Sequence, residues 1–246
     1  MNNEDDIYIY GKNAVKETLL SGKSTIEKVF VRDTLNNSSI TDILTLSSQQ
    51  TIPVSHVPGR KLYDLVGSVN DQGVVALLSS GQYLDFENWF NSLELSANPG
   101  VLILDEIEDP QNFGAIIRTA AAFELSGIII GKHRQAPVNA SVYKASAGLV
   151  NAVPIIRVIN INQTILQLKE RSFWIGGLSA GAETDITDQR FDMPLAFIIG
   201  NEGRGIRRKT LEHCDFELSI AISQSVESLN AAASAAVLCY EWRRRR

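Results

Sequence analysis

Three short clusters hold residue types that could do chemistry together. The first is Asn112, Gly114 and Arg118, spaced Asn-x-Gly-x-x-x-Arg. Four residues separate Gly114 from Arg118, so on a helix they share one face. Helical side chains lean toward the N-terminus, which would carry Arg118 over the gap at Gly114 and toward Asn112. An interior helix glycine costs about 1 kcal/mol, so this one asks for a reason. The second cluster is Gly200-Asn201-Glu202-Gly203-Arg204-Gly205, whose glycines let backbone approach a ligand closely. Its spacing is neither G-x-G-x-x-G nor a P-loop, which disfavours nucleotide phosphate binding of those kinds. A plain turn would have little use for Glu202. The third is Ser228-Leu229-Asn230, where Ser228 reads as the N-cap of a last helix. Capping by Ser228 leaves Asn230 without a role of its own.

A fourth pattern, Gly177-Leu178-Ser179-Ala180-Gly181, matches the nucleophile elbow of hydrolases. That motif needs a helix directly after the serine and a companion oxyanion loop. Here a polar stretch, Glu183 to Asp188, follows instead. A serine hydrolase is disfavoured.

Each cluster sits against a continuous apolar run. Such runs fall at 101–104, 127–130, 153–157, 173–178, 195–199 and 216–220, and helical patterns at 112–125, 162–171, 206–213 and 228–242 separate several of them. Continuous apolar strands alternating with helices predict an α/β fold whose parallel sheet is covered on both faces. Ligands then bind beyond the carboxyl ends of the strands, where the clusters lie. Asp109-Pro110 predicts a helix start, as N-cap and first helical residue. Before this, residues 1–79 read as a small α/β module, with a helix from Lys12 and strands near 29–31, 52–54 and 73–78. Residues 80–98, with Tyr83, Phe86, Trp89 and Phe90, read as an amphipathic linker helix ahead of a domain at 99–246.

The composition narrows the classes. With 246 residues, 44% hydrophobic and 21% charged, the chain can bury a core without staples. Two isolated cysteines and three histidines give no zinc pattern, so no metal is expected. The acidic start, residues 1–6, is not a secretory signal, and no apolar run reaches the ~20 residues of a membrane span. A cytoplasmic protein without membrane contact is expected. Net charge is −5, yet Arg204, Arg207, Arg208 and Lys209, then Arg243 to Arg246, form local basic clusters compatible with RNA.

Taken together, the three clusters resemble the motifs of the SpoU/TrmH family of RNA ribose 2'-O-methyltransferases, in the SPOUT class. They stand in the family's order as Asn112-x-Gly114-x-x-x-Arg118, Gly200-x-Glu202-x-x-Gly205 and Ser228-Leu229-Asn230. The segments Tyr10 to Val15 and Gln72 to Ala76 look like parts of an L30e-like RNA-binding domain. Two departures stand out: Asp71 where the family often has His, and Ala221-Ile222 where it often has Pro-Met. The resemblance implies a trefoil-knotted catalytic domain that binds S-adenosylmethionine, mostly through backbone, at Leu178, Gly200, Ile220 and Leu229. It implies that Arg118, supported by Asn112, handles the ribose hydroxyl, with Glu202, Ser228 and Asn230 holding the site. It further implies a homodimer built by the last helix and an RNA partner. The two-domain form is most similar to enzymes that methylate a guanosine ribose of large-subunit ribosomal RNA. A transfer RNA target, an antibiotic-resistance site in ribosomal RNA, or a non-catalytic RNA-binding homologue are the alternatives.

Overall fold

The computed structural model of the protein describes residues 7–21, 26–78 and 83–246. The acidic start, residues 1–6, lies outside the described residues, as do 79–82 at the expected domain boundary. The described residues form two compact units. One holds those up to residue 78 together with Val138–Asn151; the other holds Tyr83–Pro137 and Ala152–Arg246.

The first unit is a mixed sheet with helices. Its elements are β1 (Ile7–Tyr10), α1 (Lys12–Ser21), β2 (Ile26–Arg32), α2 (Thr41–Gln49), β3 (Val54–Val57), α3 (Gly59–Val66) and β4 (Val74–Leu78). The sheet order is β1-β4-β2-β3, antiparallel except for the β2–β3 pair. Val74, Val75 and Ala76 in β4 are fully buried, as a central strand demands. Asp71, at the first departure from the family pattern, is buried and does structural work. Its Oδ1 accepts from Gly73 N at 2.6 Å and from Arg32 Nη2 at 2.8 Å.

The second unit follows as β5 (Tyr83–Leu84), α4 (Phe86–Asn91), β6 (Gly100–Asp105), α5 (Pro110–Ala122) and β7 (Gly127–Gly131). The helix α6 (Ala140–Ala145) belongs to the first unit; β8 (Ile155–Val158), α7 (Ile161–Glu170), β9 (Trp174–Leu178), β10 (Leu195–Gly200), α8 (Arg208–Leu211), β11 (Phe216–Leu218) and α9 (Ala231–Arg245) complete the second. Its sheet is parallel throughout, in the order β11-β9-β10-β6-β7-β8-β5. Chain order runs outward from β6 on one side and returns through β10 on the other. The switch point therefore lies between β6 and β10, where the crevice rule puts a ligand.

Alternation along the strands fills both faces. Val101, Ile103, Ile129, Ile156, Ala196 and Ile198 join Ile161, Ile165 and Leu168 of α7 in one buried cluster. Leu102, Leu104, Ile128 and Phe197 are buried as well, as are Phe113 and Ile117 of α5 and Leu238 and Trp242 of α9. Trp242 lies so close to the sheet that a Cβ at Gly100 would meet its ring at 2.4 Å. The expected linker helix is instead a two-residue strand and a six-residue helix. Trp89 ties that helix down by donating from Nε1 to Ser126 O at 2.9 Å, over Gly127, which has no side chain to block it.

Candidate functional site

The loops after β9, β10 and β11 converge on one cavity of about 320 Å³, the lower end of the small-molecule range. Leu178, Gly200, Ile220 and Leu229 all line it, with Glu202 and Ser228 beside them. Three strand ends thus bring together residues that sequence spacing kept far apart.

Gly200 is required by close approach. A Cβ there would lie 2.2 Å from the Gly205 carbonyl carbon and the Ile206 nitrogen. Gly205 itself has φ +66, in the left-handed region that favours glycine. Between them the chain doubles back, Asn201 N to Gly205 O at 3.1 Å and Gly205 N to Asn201 O at 2.8 Å. Asn201 Oδ1 accepts from Gly203 N and Arg204 N, while its Nδ2 donates to Glu106 O at 2.9 Å. The result is a rigid loop that projects Glu202.

Glu202 meets the start of α5. Asn112 Nδ2 donates to Glu202 Oε1 at 2.5 Å, joining the first two clusters directly. Asp109 caps α5, accepting from Gln111 N at 3.0 Å with Pro110 next to it, as the sequence predicts. Arg118 lies later on α5 and is exposed, with no hydrogen bond or ion pair among the described residues. It does not line the cavity.

The third cluster corrects one expectation. Ser228 does not cap the last helix; Asn230 does, accepting from Ala233 N at 2.7 Å. The helix starts at Ala231, so Asn230 alone has a cap's extended backbone with its side chain within reach of that N–H. Ser228 is exposed at the cavity wall instead. After Ser179 there is no helix, only turns, so the elbow geometry is missing.

A carboxylate that the sequence did not single out braces Ala221, which stands between the lining residues Ile220 and Ile222. Asp185 Oδ2 accepts from Ala221 N at 3.0 Å, and its Oδ1 accepts from Thr187 N and Oγ1 at 2.9 and 2.6 Å. These bonds, led by the Thr187 hydroxyl, hold its pKa below the ordinary value. Ala221 can donate here; a proline at that position could not. The second departure from the family pattern thus supplies a backbone donor that Asp185 uses.

Asp105 was also missed. It is fully buried at the end of β6 and accepts from Arg207 N and Nε at 2.9 and 2.8 Å. This carboxylate drives the Arg207 pKa above its ordinary value, against the effect of burial. A charge at the end of an apolar strand was the available signal. The basic clusters are largely paired: Arg204 with Glu108, Arg208 with Glu212, Arg243 with Glu124, and Arg244 and Arg245 with Glu241. Clustered arginines in the sequence are therefore not one continuous basic face.

Comparison with known proteins assigns the arrangement. The SpoU rRNA Methylase family matches residues 99–240. The chain belongs to that family. Residues 8–84 match the RNA 2'-O ribose methyltransferase substrate-binding family. A protein of Staphylococcus haemolyticus named as a TrmH family tRNA/rRNA methyltransferase is 40% identical, over 98% of this chain and 97% of its own. Its Staphylococcus aureus counterpart is 39% identical over the same shares. Among solved structures, the SpoU methyltransferase AviRb from Streptomyces viridochromogenes, in complex with the cofactor AdoMet, aligns with TM-score 0.79. That pair is 22% identical, over 99% of this chain and 93% of that one. The AdoMet-bound rRNA methyltransferase from Sinorhizobium meliloti aligns with TM-score 0.77 at 22% identity, over 97% and 87%. This SpoU family chain thus has an N-terminal substrate-binding domain and the α/β fold of SPOUT methyltransferases, and by family it is an RNA methyltransferase.

Proposed function

We propose that the protein transfers a methyl group from S-adenosylmethionine to a ribose 2'-hydroxyl of a guanosine in large-subunit ribosomal RNA. The observation that carries this is the convergence of Leu178, Gly200, Ile220 and Leu229 on one cavity, with the Asn112–Glu202 hydrogen bond beside it. The cavity suits the cofactor. Its aliphatic side chains, including Ile206 and Leu211, can enclose a flat base, exposed backbone near Gly200 can read polar edges, and Glu202 offers a carboxylate to a cation. When bound, S-adenosylmethionine supplies an electrophilic methyl on a sulfonium sulfur.

The chain's residues do the positioning. An arginine holds its proton near neutral pH, so Arg118 orients the hydroxyl and a neighbouring phosphate rather than acting as a free base. Asn112, fixed by Glu202, marks the side from which the ribose enters. Asn230 sets the start of α9, which places Ser228 and Leu229 on the cavity wall. Charge placement and orientation would carry the rate. The substrate-binding domain docks the RNA, and the enzyme works in the cytoplasm as a homodimer. Exposed Val237 and Tyr240, with half-buried Ala233 and Ala236, leave an apolar strip along α9 that supports this pairing.

Methyl-labelled cofactor offered with protein-free large-subunit ribosomal RNA, small-subunit ribosomal RNA and bulk transfer RNA tests the target. Label is expected mainly in the large-subunit RNA. Label confined to transfer RNA would replace the ribosomal reading with the transfer RNA one.

A further inference from the structure

Beside the cavity, three arginines gather around the end of β6. Arg204 and Arg207 come from the loop after β10 and Arg134 from the loop after β7, while β6 and its loop supply Asp105 and Glu106. Arg207 is fully matched, since buried Asp105 takes its Nη2 at 2.5 Å and its Nε at 2.8 Å. Glu106, also buried, faces Arg207 Nη1 at 3.3 Å, Arg204 Nη2 at 3.3 Å and Arg134 Nη1 at 3.7 Å. One carboxylate among these guanidinium groups leaves Arg134 and Arg204 short of a counter-charge. Glu108 supplies it to Arg204 at 2.9 Å, but both side chains are more than half exposed. An exposed pair of that kind is weak and screened by salt.

The backbone is arranged around this group at a cost. Glu106 has φ +67 and Arg134 φ +53, and neither is glycine. Such strain persists only where the surroundings over-determine it. Here Asn201 holds the Glu106 carbonyl at 2.9 Å, and the Arg134 loop is tied to Ile107 on both sides. Ala136 N donates to Ile107 O at 2.8 Å, and Ile107 N donates to Gln135 Oε1 at 3.2 Å. A merely solvated arginine would need none of this.

We propose that Arg134 and Arg204 form a clamp for one backbone phosphate of the substrate RNA, which Glu108 occupies until RNA arrives. Glu106 is the positioning residue, aiming both guanidinium groups outward from a buried anchor. Guanidinium forks match phosphate oxygens and bind them more strongly than an exposed carboxylate. Arg204 also lines the cavity, and every ribose that reaches a cavity brings its own flanking phosphates. The clamp therefore grips the nucleotide being modified or its immediate neighbour. This rests on the RNA-methyltransferase reading and assigns that site a substrate contact.

The test is filter retention of end-labelled, protein-free large-subunit ribosomal RNA across a potassium chloride series, without turnover. Arg134→Ala should weaken RNA binding about tenfold, the loss of one charge-assisted contact. It should also lower the slope of log affinity against log salt by about 0.7–0.9, one phosphate's share. Arg134→Lys should restore the slope and part of the affinity. Glu108→Gln should bind RNA several-fold more tightly at low salt, with the gain vanishing at high salt. A purely structural Glu108 could not do this. Cofactor affinity should match wild type in Arg134→Ala and Glu108→Gln. Wild-type affinity and slope in Arg134→Ala, or no gain in Glu108→Gln, would overturn the clamp. A wild-type protein that binds RNA but transfers no methyl would defeat the function reading and leave the clamp standing.

Discussion

Arg118 stands exposed without an ion pair among the described residues, while Arg207 is held by buried Asp105. A long cation left unpaired on the helix that carries Asn112 is available to a ligand. Arg118→Ala should therefore lower the rate of methyl transfer by more than tenfold, at least about 1.4 kcal/mol in barrier, with cofactor affinity unchanged. Single-turnover kinetics beside calorimetric cofactor binding would show it; a variant with a tenth or more of the wild-type rate contradicts the assignment. At this scale the sequence brought out residues that the structure places at the cavity or next to its lining, but not the contacts each one makes. Asn112, Glu202, Ser228 and Asn230 were legible from residue type and spacing. That Asn230 is the cap and Ser228 the wall depended on where α9 begins, a matter of two residues that periodicity does not resolve. Asp105, Asp185 and Asn201 stayed hidden because their partners lie far along the chain.

Strands of the parallel sheet were legible because burial on both faces makes them continuous apolar runs. Burial and length fail as signals for β5, two residues long, and for α4, six residues capped by Asp85, so 80–98 read as one helix. The helices α2, α3 and α6 were not singled out either; all are shorter than the stretch of about 11 residues over which helical periodicity stands out. Among the loops, the strap around Asp185 makes a prediction that depends on pH. Its lowered pKa means that its stabilising bonds are complete above the ordinary carboxylate value of 3.8 and are lost as pH falls through the lower folded value. At neutral pH, Asp185→Asn should be less stable than wild type by about 1 kcal/mol, a modest figure because solvent screens the group. Urea titrations from about pH 7 to about pH 3 should show that gap closing in acid. A gap that stays constant across the range would mean the carboxylate charge is not what holds the loop.

For the whole molecule, the sequence led to the expectation of two domains, 1–79 and 99–246, joined by 80–98; the family matches cover 8–84 and 99–240. Less legible was the grouping of Val138–Asn151 with the first unit, because those residues sit between two strands of the other sheet. The alanine-rich last helix was legible as a packing element, but the share of it left uncovered was not. Ala231 and Ala235 are buried in their own unit, and Val237 and Tyr240 are exposed. If that strip joins two copies, light scattering at micromolar concentration should give about twice the 27.0 kDa chain mass, and Tyr240→Glu should return it to one. A wild-type mass of a single chain would end the homodimer proposal. The central claim, methyl transfer to a ribose oxygen, is tested most directly by nucleoside mass spectrometry. Protein-free large-subunit ribosomal RNA is incubated with the enzyme and deuterated-methyl S-adenosylmethionine, then digested to nucleosides. The account predicts the deuterated methyl on the ribose of guanosine, so that fragmentation leaves an unlabelled base. Label carried by the base, or by no nucleoside at all, would contradict it.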